Sequence, residues 1–328
     1  MSTGRSTALD VSDPRAPLLA TPPARRLDLL GVGECSLDTW LKIDALPPRG
    51  GKAAVSDWCE RAGGQVATAV LTAARLGLRA AYAGVVGDDA AAETALAPLR
   101  AAGVDLSRVS VVRGARTRAA VIAVESSSGE RSVLGHRDPR LSAGSEALRA
   151  LAPEEARLLL LDASDLDVAL ALAERARAVG RSVVLDLDTA SHAAERLLGL
   201  ADFPIVSEDF AVRAYGSVTA ALARMRQLGA KLPVVTLGER GALAQLGEVA
   251  LASPAPKVSV ADTTGAGDVF HGAFAWGLLQ GLGAAQLLRV SNAAAAFSCT
   301  GLGAQGAIPD AERLRALLVE QTPGYSSS

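Results

Sequence analysis

The sequence predicts an α/β protein: a doubly wound, mostly parallel sheet flanked by helices, with a small β-sheet lid over one end. Three observations predict it. From Leu141 onward, apolar runs of strand length alternate with helical patterns, the rhythm of right-handed βαβ units. Two earlier stretches, Asp38 to Glu60 and about Arg108 to His136, are more polar and read as exposed β-structure. The chain has 328 residues, 49% of them hydrophobic, which is enough to bury one large core.

The elements follow in order. Residues 1–26 are rich in Pro, Ala, Ser and Thr and lack the apolar run of a signal peptide. They are expected to form a disordered tail, and 321–328 a second one, leaving 27–320 as the folded domain. "LDLLGVG" (Leu27 to Gly33) is a short apolar run ended by glycine, hence a buried strand. "TWLKIDALPPRGGKAAVSDWCERAGG" alternates around a Pro-Pro/Gly-Gly break and reads as two exposed strands. "GQVATAVLTAARLG" is a helix and "AAYAGVVG" a strand. "DDAAAETALAPLRAAG" is a helix whose leading aspartates suit its dipole. "TRAAVIAVESSSGERSVLGH" is a hairpin around a Ser/Gly turn. The strands "RLLLLDA", "SVVLDLD", "FPIVS" and "LPVVTLG" then alternate with three helices, and "KVSVADTTGAGDVFHGAFAWGLLQG" reads as strand, loop, helix. Ligands of open α/β sheets bind beyond the carboxyl ends of the strands. The two exposed β stretches, brought together, form a lid there, over 38–60 and 108–136.

Composition excludes several functions. A net charge of −2 gives no surface for nucleic acid or an anionic membrane. Aromatics at 3% do not supply stacking platforms. Cys35, Cys59 and Cys299 are odd in number and widely spaced, as expected of buried thiols in a reducing cytoplasm rather than a disulfide framework. His136, His192 and His271 are scattered, so no His/Cys metal cluster is expected. No apolar run reaches membrane-spanning length.

Three glycine-containing stretches compete as phosphate loops. "GVGECS" begins G-x-G, but the third glycine is absent and no helix follows, so it fails as a dinucleotide fingerprint. Its glycines suit a tight turn into the lid. Gly63-Gly64 opens a helix, which is either ordinary helix entry or a place where a substrate oxygen approaches the backbone. "DTTGAGD" between an apolar strand and an apolar helix is the most specific. Gly265, Ala266 and Gly267 leave their amides open to a ligand, and the helix aims its positive end at them. No lysine accompanies them. Asp268, in the first turn, is either a partner for the helix dipole or a base beside an anion hole.

These pieces, in this order and spacing, resemble the ribokinase-like (phosphofructokinase-B type) carbohydrate kinases. "DTTGAGDVFHGAF" resembles the family's C-terminal signature, and "GGQVATAVLTAARLG" followed by "AAYAGVVGDD" its N-terminal one. "VVTLGERGALA" and "SNAAAAFSCTGLGAQGAIP" resemble its nucleotide-side segments. The likeness runs from about Leu27 to Leu318, and "IVSEDFAVRAYG" with "CTGLGAQGAIPD" is most similar to the ketohexokinase and sulfofructose-kinase branches. The resemblance implies transfer of the γ-phosphoryl group of ATP to a sugar hydroxyl, with Mg²⁺. It implies Asp268 as catalytic base, the amides of Gly265, Ala266 and Gly267 as anion hole, and Asp38, Gly63 and Gly64 as sugar contacts. Thr236, Gly238, Gly241 and Asn292 fall on the nucleotide side. Asp262 and Thr264, with carbonyls of the Thr300 to Gln305 loop, match a site for a monovalent cation such as K⁺ in some members.

Two departures bear on the site. Thr68 stands where the family often has asparagine, a shorter side chain with a single hydroxyl. The Asn-x-x-Glu motif tied to Mg²⁺ appears as Ser207-Glu208-Asp209-Phe210. Either Glu208 or Asp209 organises water around the metal, or Ser207 caps a helix. For an anionic sugar tail, "LLLLDASDLD" offers only Ser164 and Asp165, with Arg118, Arg137 and Arg140 as substitutes from the lid. The expected activity is therefore phosphorylation of a ketose or related neutral sugar. A nucleoside kinase and a non-catalytic sugar or nucleotide sensor are the alternatives. A homodimer through the lid edges is expected because open strands seek partners.

Overall fold

The computed structural model describes residues 16–19, 27–127 and 131–320. β1 (Leu27–Val32) is buried at all six positions, as an unbroken apolar run requires when helices cover both faces of a sheet. The chain then leaves the sheet. β2 (Ser36–Ile43) and β3 (Val55–Gly63) pair antiparallel. α1 (Gln65–Arg75) returns the chain to β4 (Ala80–Ala83), which lies parallel beside β1. β5 (Val85–Gly87) follows, then α2 (Ala90–Ala101), whose N-cap Asp89 accepts from the Ala92 amide. β6 (Ser110–Val112) pairs with β5 in a separate two-stranded sheet. β7 (Ala119–Glu125) and β8 (Arg131–His136) form a hairpin.

After the short α3 (Ser145–Arg149), the alternation is regular. It runs β9 (Ala156–Leu161), α4 (Leu166–Ala178), β10 (Ser182–Leu187), α5 (His192–Leu198) and β11 (Phe203–Ser207). Then come α6 (Glu208–Tyr215), α7 (Val218–Gln227) and β12 (Val234–Thr236). The antiparallel hairpin β13 (Ala242–Leu246) and β14 (Val249–Ser253) extends the sheet. α8 (Ala266–Leu279), α9 (Ala284–Ser298) and α10 (Ala311–Glu320) complete the chain.

The main sheet has eight strands in the order β14-β13-β12-β11-β10-β9-β1-β4, parallel from β12 to β4. Period-2 alternation divides its side chains between two layers. Leu29, Leu158, Leu160 and Val184 join the core under α1, α8 and α9. Leu30, Leu159, Leu161, Val183 and Leu185 join the core under α4 to α7.

The second sheet has four strands, β3-β2-β7-β8. It differs from expectation at both ends. It begins at Ser36 and runs to Gly63 in its first half, and its second half starts at Ala119, not at Arg108. Residues 105–112 instead lie along β4 and β5, where the Tyr82 amide donates to the Asp105 carbonyl at 3.0 Å and the Ser110 amide to Gly84 at 2.9 Å. "AAYAGVVG" is two strands, broken at Gly84, against which the Tyr82 hydroxyl packs. No strand precedes the glycine loop. The amides of Ala261 and Asp262 both donate to the Cys299 carbonyl, at 2.8 and 3.2 Å, so this segment bonds to the end of α9 instead of to a ladder. The expected tail also changes. Leu18 is buried in the helix-side core with Leu19 packed against it, because a leucine pair gains more from apolar contact than from water. The rest of the expected tails lies outside the described residues.

Candidate active site

Parallel strands end on one side of the sheet, and in this chain they end in carboxylates. Glu34 follows β1 by two residues, Asp162 follows β9 directly, and Asp186 and Asp188 lie at the end of β10. The Glu34 amide donates to Asp162 Oδ2 at 2.7 Å, and the Ser164 hydroxyl to Asp162 Oδ1 at 2.6 Å. Gly33 makes this possible: a Cβ there would lie 2.4 Å from the Asp162 carboxyl carbon. The G-x-G of the first glycine stretch thus serves a carboxylate.

α8 points its N-terminus into the same region. Its N-cap, Gly265, has φ 77°, and a Cβ would lie 2.5 Å from the Ala304 Cα. Glycine is required there by conformation and by space. The Ala266 amide donates to the Thr263 carbonyl at 3.3 Å. The amides of Gly265, Gly267 and Asp268 have no acceptor among the described residues, and that of Ala266 has this one long turn bond. Three open N–H groups at a helix start form a seat for an anion.

Asp268 is half-buried in the first turn. Its carboxyl is held well above the usual range, first by burial, then by the charges of Asp186, Glu34 and Asp162, while Arg131 opposes. Asp186 is pushed up to about 6 by burial, against the pull of His271. His271 Nδ1 lies 2.7 Å from the Gly267 carbonyl, to which it donates, and 3.6 Å from Asp186 Oδ2. Burial raises Glu34 to about 8, outweighing Arg118, whose guanidinium lies 2.5 Å away; Asp162, Asp38 and Asp188 add to the rise.

On the lid side, Asp38 is buried and its Oδ1 has no partner. Its Oδ2 occupies the space of a Cβ on Gly63, 2.1 Å from where that atom would be, so glycine lets the carboxylate lie against the strand. Gly64 caps α1 without a side chain. Thr68 is wholly buried, and its Oγ1 accepts from Gln305 Nε2 at 3.2 Å. That bond ties Thr68, on α1, to Gln305 of the 300–305 loop.

The residues expected on the nucleotide side gather at the other end of the sheet. Thr236 ends β12, and Gly238 and Gly241 turn the chain into β13. Ala242 pairs with Ser253, and Asn292 Nδ2 donates to the Ser253 carbonyl at 2.8 Å. Asn292 therefore fastens α9 to the hairpin.

The expected metal residues are engaged by protein. Asp262 Oδ1 accepts from the Thr264 amide at 2.9 Å and hydroxyl at 2.7 Å, and Oδ2 from the Gly303 amide at 2.8 Å. This carboxylate is a staple between two loops. Glu208 is paired with Arg240, and Asp209 with Arg213 at 2.6 Å. The Ser207 hydroxyl accepts from the Phe210 amide at 3.1 Å, the helix-cap alternative. No group of three or more His, Cys, Asp or Glu forms a metal cage among the described residues. A magnesium ion held chiefly by nucleotide phosphates and water needs few protein ligands.

Sequence inspection missed Glu34, Asp162 and Asp186. The signal was available: an acidic residue at or just beyond each of three apolar strands, where such sheets bind ligands.

Open amides at a helix start, a half-buried carboxylate beside them and a pocket of further carboxylates next to a four-stranded sheet suit phosphoryl transfer to a hydroxyl. Comparison with known proteins agrees. Residues 27–311 match the model of the pfkB family carbohydrate kinases, and the chain belongs to that family. It is 30% identical to a ribokinase of Haemophilus influenzae over 259 residues, 75% of this chain and 84% of that one. It is 26% identical to a nucleoside kinase of Methanothermobacter thermautotrophicus over 288 residues, 86% and 93% of the two chains. The structure of Arabidopsis thaliana ribokinase complexed with ribose and ATP superposes with a TM-score of 0.77 at 26% identity, covering 89% and 98%. The chain is thus a kinase of the ribokinase-like fold.

Proposed function

We propose that this kinase phosphorylates a neutral sugar, a ketose or a related compound, on a primary hydroxyl, with Asp268 as general base. The observation that carries it is the placement of Asp268 at the start of α8, beside the open amides of Gly265 and Gly267 and facing the carboxylates of Glu34, Asp162 and Asp186. Bound MgATP supplies the γ-phosphoryl group and the leaving group. Asp268 accepts the proton of the attacking hydroxyl. The amides and the helix dipole receive the charge that spreads over the phosphoryl oxygens. Asp38, with its unpartnered Oδ1, accepts from sugar hydroxyls, and Glu34 and Asp162 offer further acceptors. Thr236, Gly238, Gly241 and Asn292 shape the nucleotide side. The four-stranded sheet excludes water as a lid.

The acceptor is neutral because the arginines placed to grip an anion are already paired. Arg118 holds Glu34, Arg140 holds Asp138 at 2.6 Å, and Arg137 binds the Ser164 carbonyl with Asp165 at 3.5 Å. A nucleoside base favours an aromatic platform. Here Trp40 is buried in the lid core, Tyr82 is buried with its hydroxyl on the Gly33 carbonyl, and Trp58 is exposed on the outer strand. That favours a sugar over a nucleoside. The branch resemblance to ketohexokinase and sulfofructose kinase stays within this proposal, as does pairing of two chains through the lid edges β3 and β8. Those edges expose Trp58 by 67% and Leu134 by 70%.

The test is a panel of fructose, ribose, deoxy-ketonates, sulfosugars, sugar phosphates and nucleosides with coupled detection of ADP. Turnover confined to neutral sugars is expected. A preference for nucleosides or for sugar phosphates contradicts the assignment.

A further inference from the structure

One turn beyond the anion seat, α8 carries a buried imidazole that takes no part in the proton transfer. His271 follows Asp268 on the same face of the helix and is buried. Its Nδ1 lies 2.7 Å from the Gly267 carbonyl oxygen and 3.6 Å from Asp186 Oδ2, at the end of β10. Both neighbours are acceptors, so both favour a hydrogen on Nδ1 and hold the ring against a flip. Nε2, on the far side of the ring, is also buried and has no partner among the described residues. A residue present to fill space would not carry an orphaned nitrogen into the core, since an apolar side chain of similar size avoids that cost. The Nδ1 bond is what distinguishes histidine here.

That bond reaches the seat. The Gly267 carbonyl and the Asp268 amide are the two ends of one planar peptide unit. In the helix the carbonyl points toward His271 and the amide toward the seat, where it has no acceptor among the described residues. A hydrogen bond to the carbonyl fixes the plane of the peptide. It also polarises the unit, which makes the N–H at the other end a stronger donor. The same plane fixes the Cα from which the Asp268 carboxylate projects.

We infer that His271 is a positioning residue for phosphoryl transfer: through the Gly267 carbonyl it orients and strengthens the Asp268 amide toward the oxygens of the transferring group. The inference rests on the kinase reading of this site. The ring acts through the peptide and neither makes nor breaks a bond, and the proton of the attacking hydroxyl still goes to Asp268. Asp186 flanks the same corner of the ring, so the end of β10 and the head of α8 are held in register through one imidazole.

Side-chain geometry supplies the test. The δ-amide nitrogen of asparagine stands as many bonds from the backbone as Nδ1, and the ε-amide nitrogen of glutamine as many as Nε2. His271→Asn therefore keeps a donor for Gly267, whereas His271→Gln misplaces it and His271→Leu removes it. The experiment uses the full chain, these three variants and two readouts. The first is calorimetric affinity for MgADP with and without aluminium fluoride, which needs no acceptor. The wild type is expected to gain affinity with the fluoride. His271→Leu and His271→Gln should lose about tenfold or more of that gain while binding MgADP alone within about threefold of wild type, and His271→Asn should keep most of it. The second is steady-state kinetics with the sugar that the panel identifies. His271→Leu and His271→Gln should lower kcat by about 10–100-fold, as loss of an outer-layer partner does at other sites, with the acceptor KM changed by no more than about threefold. His271→Asn should stay within about fivefold of wild type. A fluoride gain that survives in His271→Leu overturns the inference. So does a loss in His271→Asn equal to that in His271→Leu, or a parallel loss of MgADP binding, either of which makes the ring a packing residue. If His271→Leu does not fold, the comparison of His271→Gln with His271→Asn decides. A wild type without the fluoride gain removes the seat and the inference with it. If the gain is present and no sugar is phosphorylated, the substrate assignment alone fails, and the fluoride readout still decides the role of His271.

Discussion

Asp268 is set by its neighbours. Its carboxyl sits among Asp186, Glu34 and Asp162, and burial with their charges holds its proton more tightly than in water. A base must be ionised to act, so activity is expected to rise with pH through a limb lying above the ordinary carboxylate range. Among these charges Asp186 acts most strongly. Asp186→Asn removes a negative neighbour, which favours ionised Asp268, so the acid limb of kcat/KM should move to lower pH. The rate at the plateau should stay within about tenfold of wild type. A pH–rate profile checks this, and a limb that does not move contradicts the coupling. The sequence marked Asp268 because its surroundings, "GAGD" between apolar segments, are local in the chain. It did not mark Asp186, whose approach to Asp268 depends on where β10 ends beneath α8.

At the scale of elements, the glycine loop is held by what it touches. Gly265 has φ 77° and faces the Ala304 backbone at 2.5 Å from a would-be Cβ. Gly265→Ala forces both a strained φ and a displaced 300–305 loop, at a cost on the order of 1–3 kcal/mol. It should lower kcat by at least about tenfold by opening the amide seat, and it should lower the midpoint of chemical denaturation. Normal stability and normal activity together contradict this account of the loop. Helices and buried strands were legible because their periodicity is local. The "KVSVAD" strand was misread because apolar alternation cannot tell a ladder from a segment whose amides bond to Cys299. The lid's second half was misplaced for a similar reason. Residues 108–112 have strand composition but find their partner in β5.

At the scale of the whole molecule, two layers of helices cover the sheet and leave one side, the strand ends, for chemistry. The lid closes over that side and presents the open edges β3 and β8. Trp58, Val133 and Leu134 are exposed there by 67%, 56% and 70%, and such edges are ordinarily blunted or paired. A dimer is expected in sedimentation at micromolar concentration, and replacement of Trp58 or Leu134 by charged residues should dissociate it. A wild type that sediments as a monomer removes the pairing. The order of elements and the existence of a lid were legible in the sequence. The packing of Leu18 onto the core was not, because a Pro- and Ala-rich stretch carries no periodic pattern to betray one buried leucine.

The central claim is that one carboxylate at the head of α8 takes the proton. The most direct test is turnover of Asp268→Asn beside its fold and its nucleotide affinity. Turnover should drop by about 10³-fold or more, with circular dichroism and ADP binding unchanged. Near-normal phosphorylation by that variant would contradict the account.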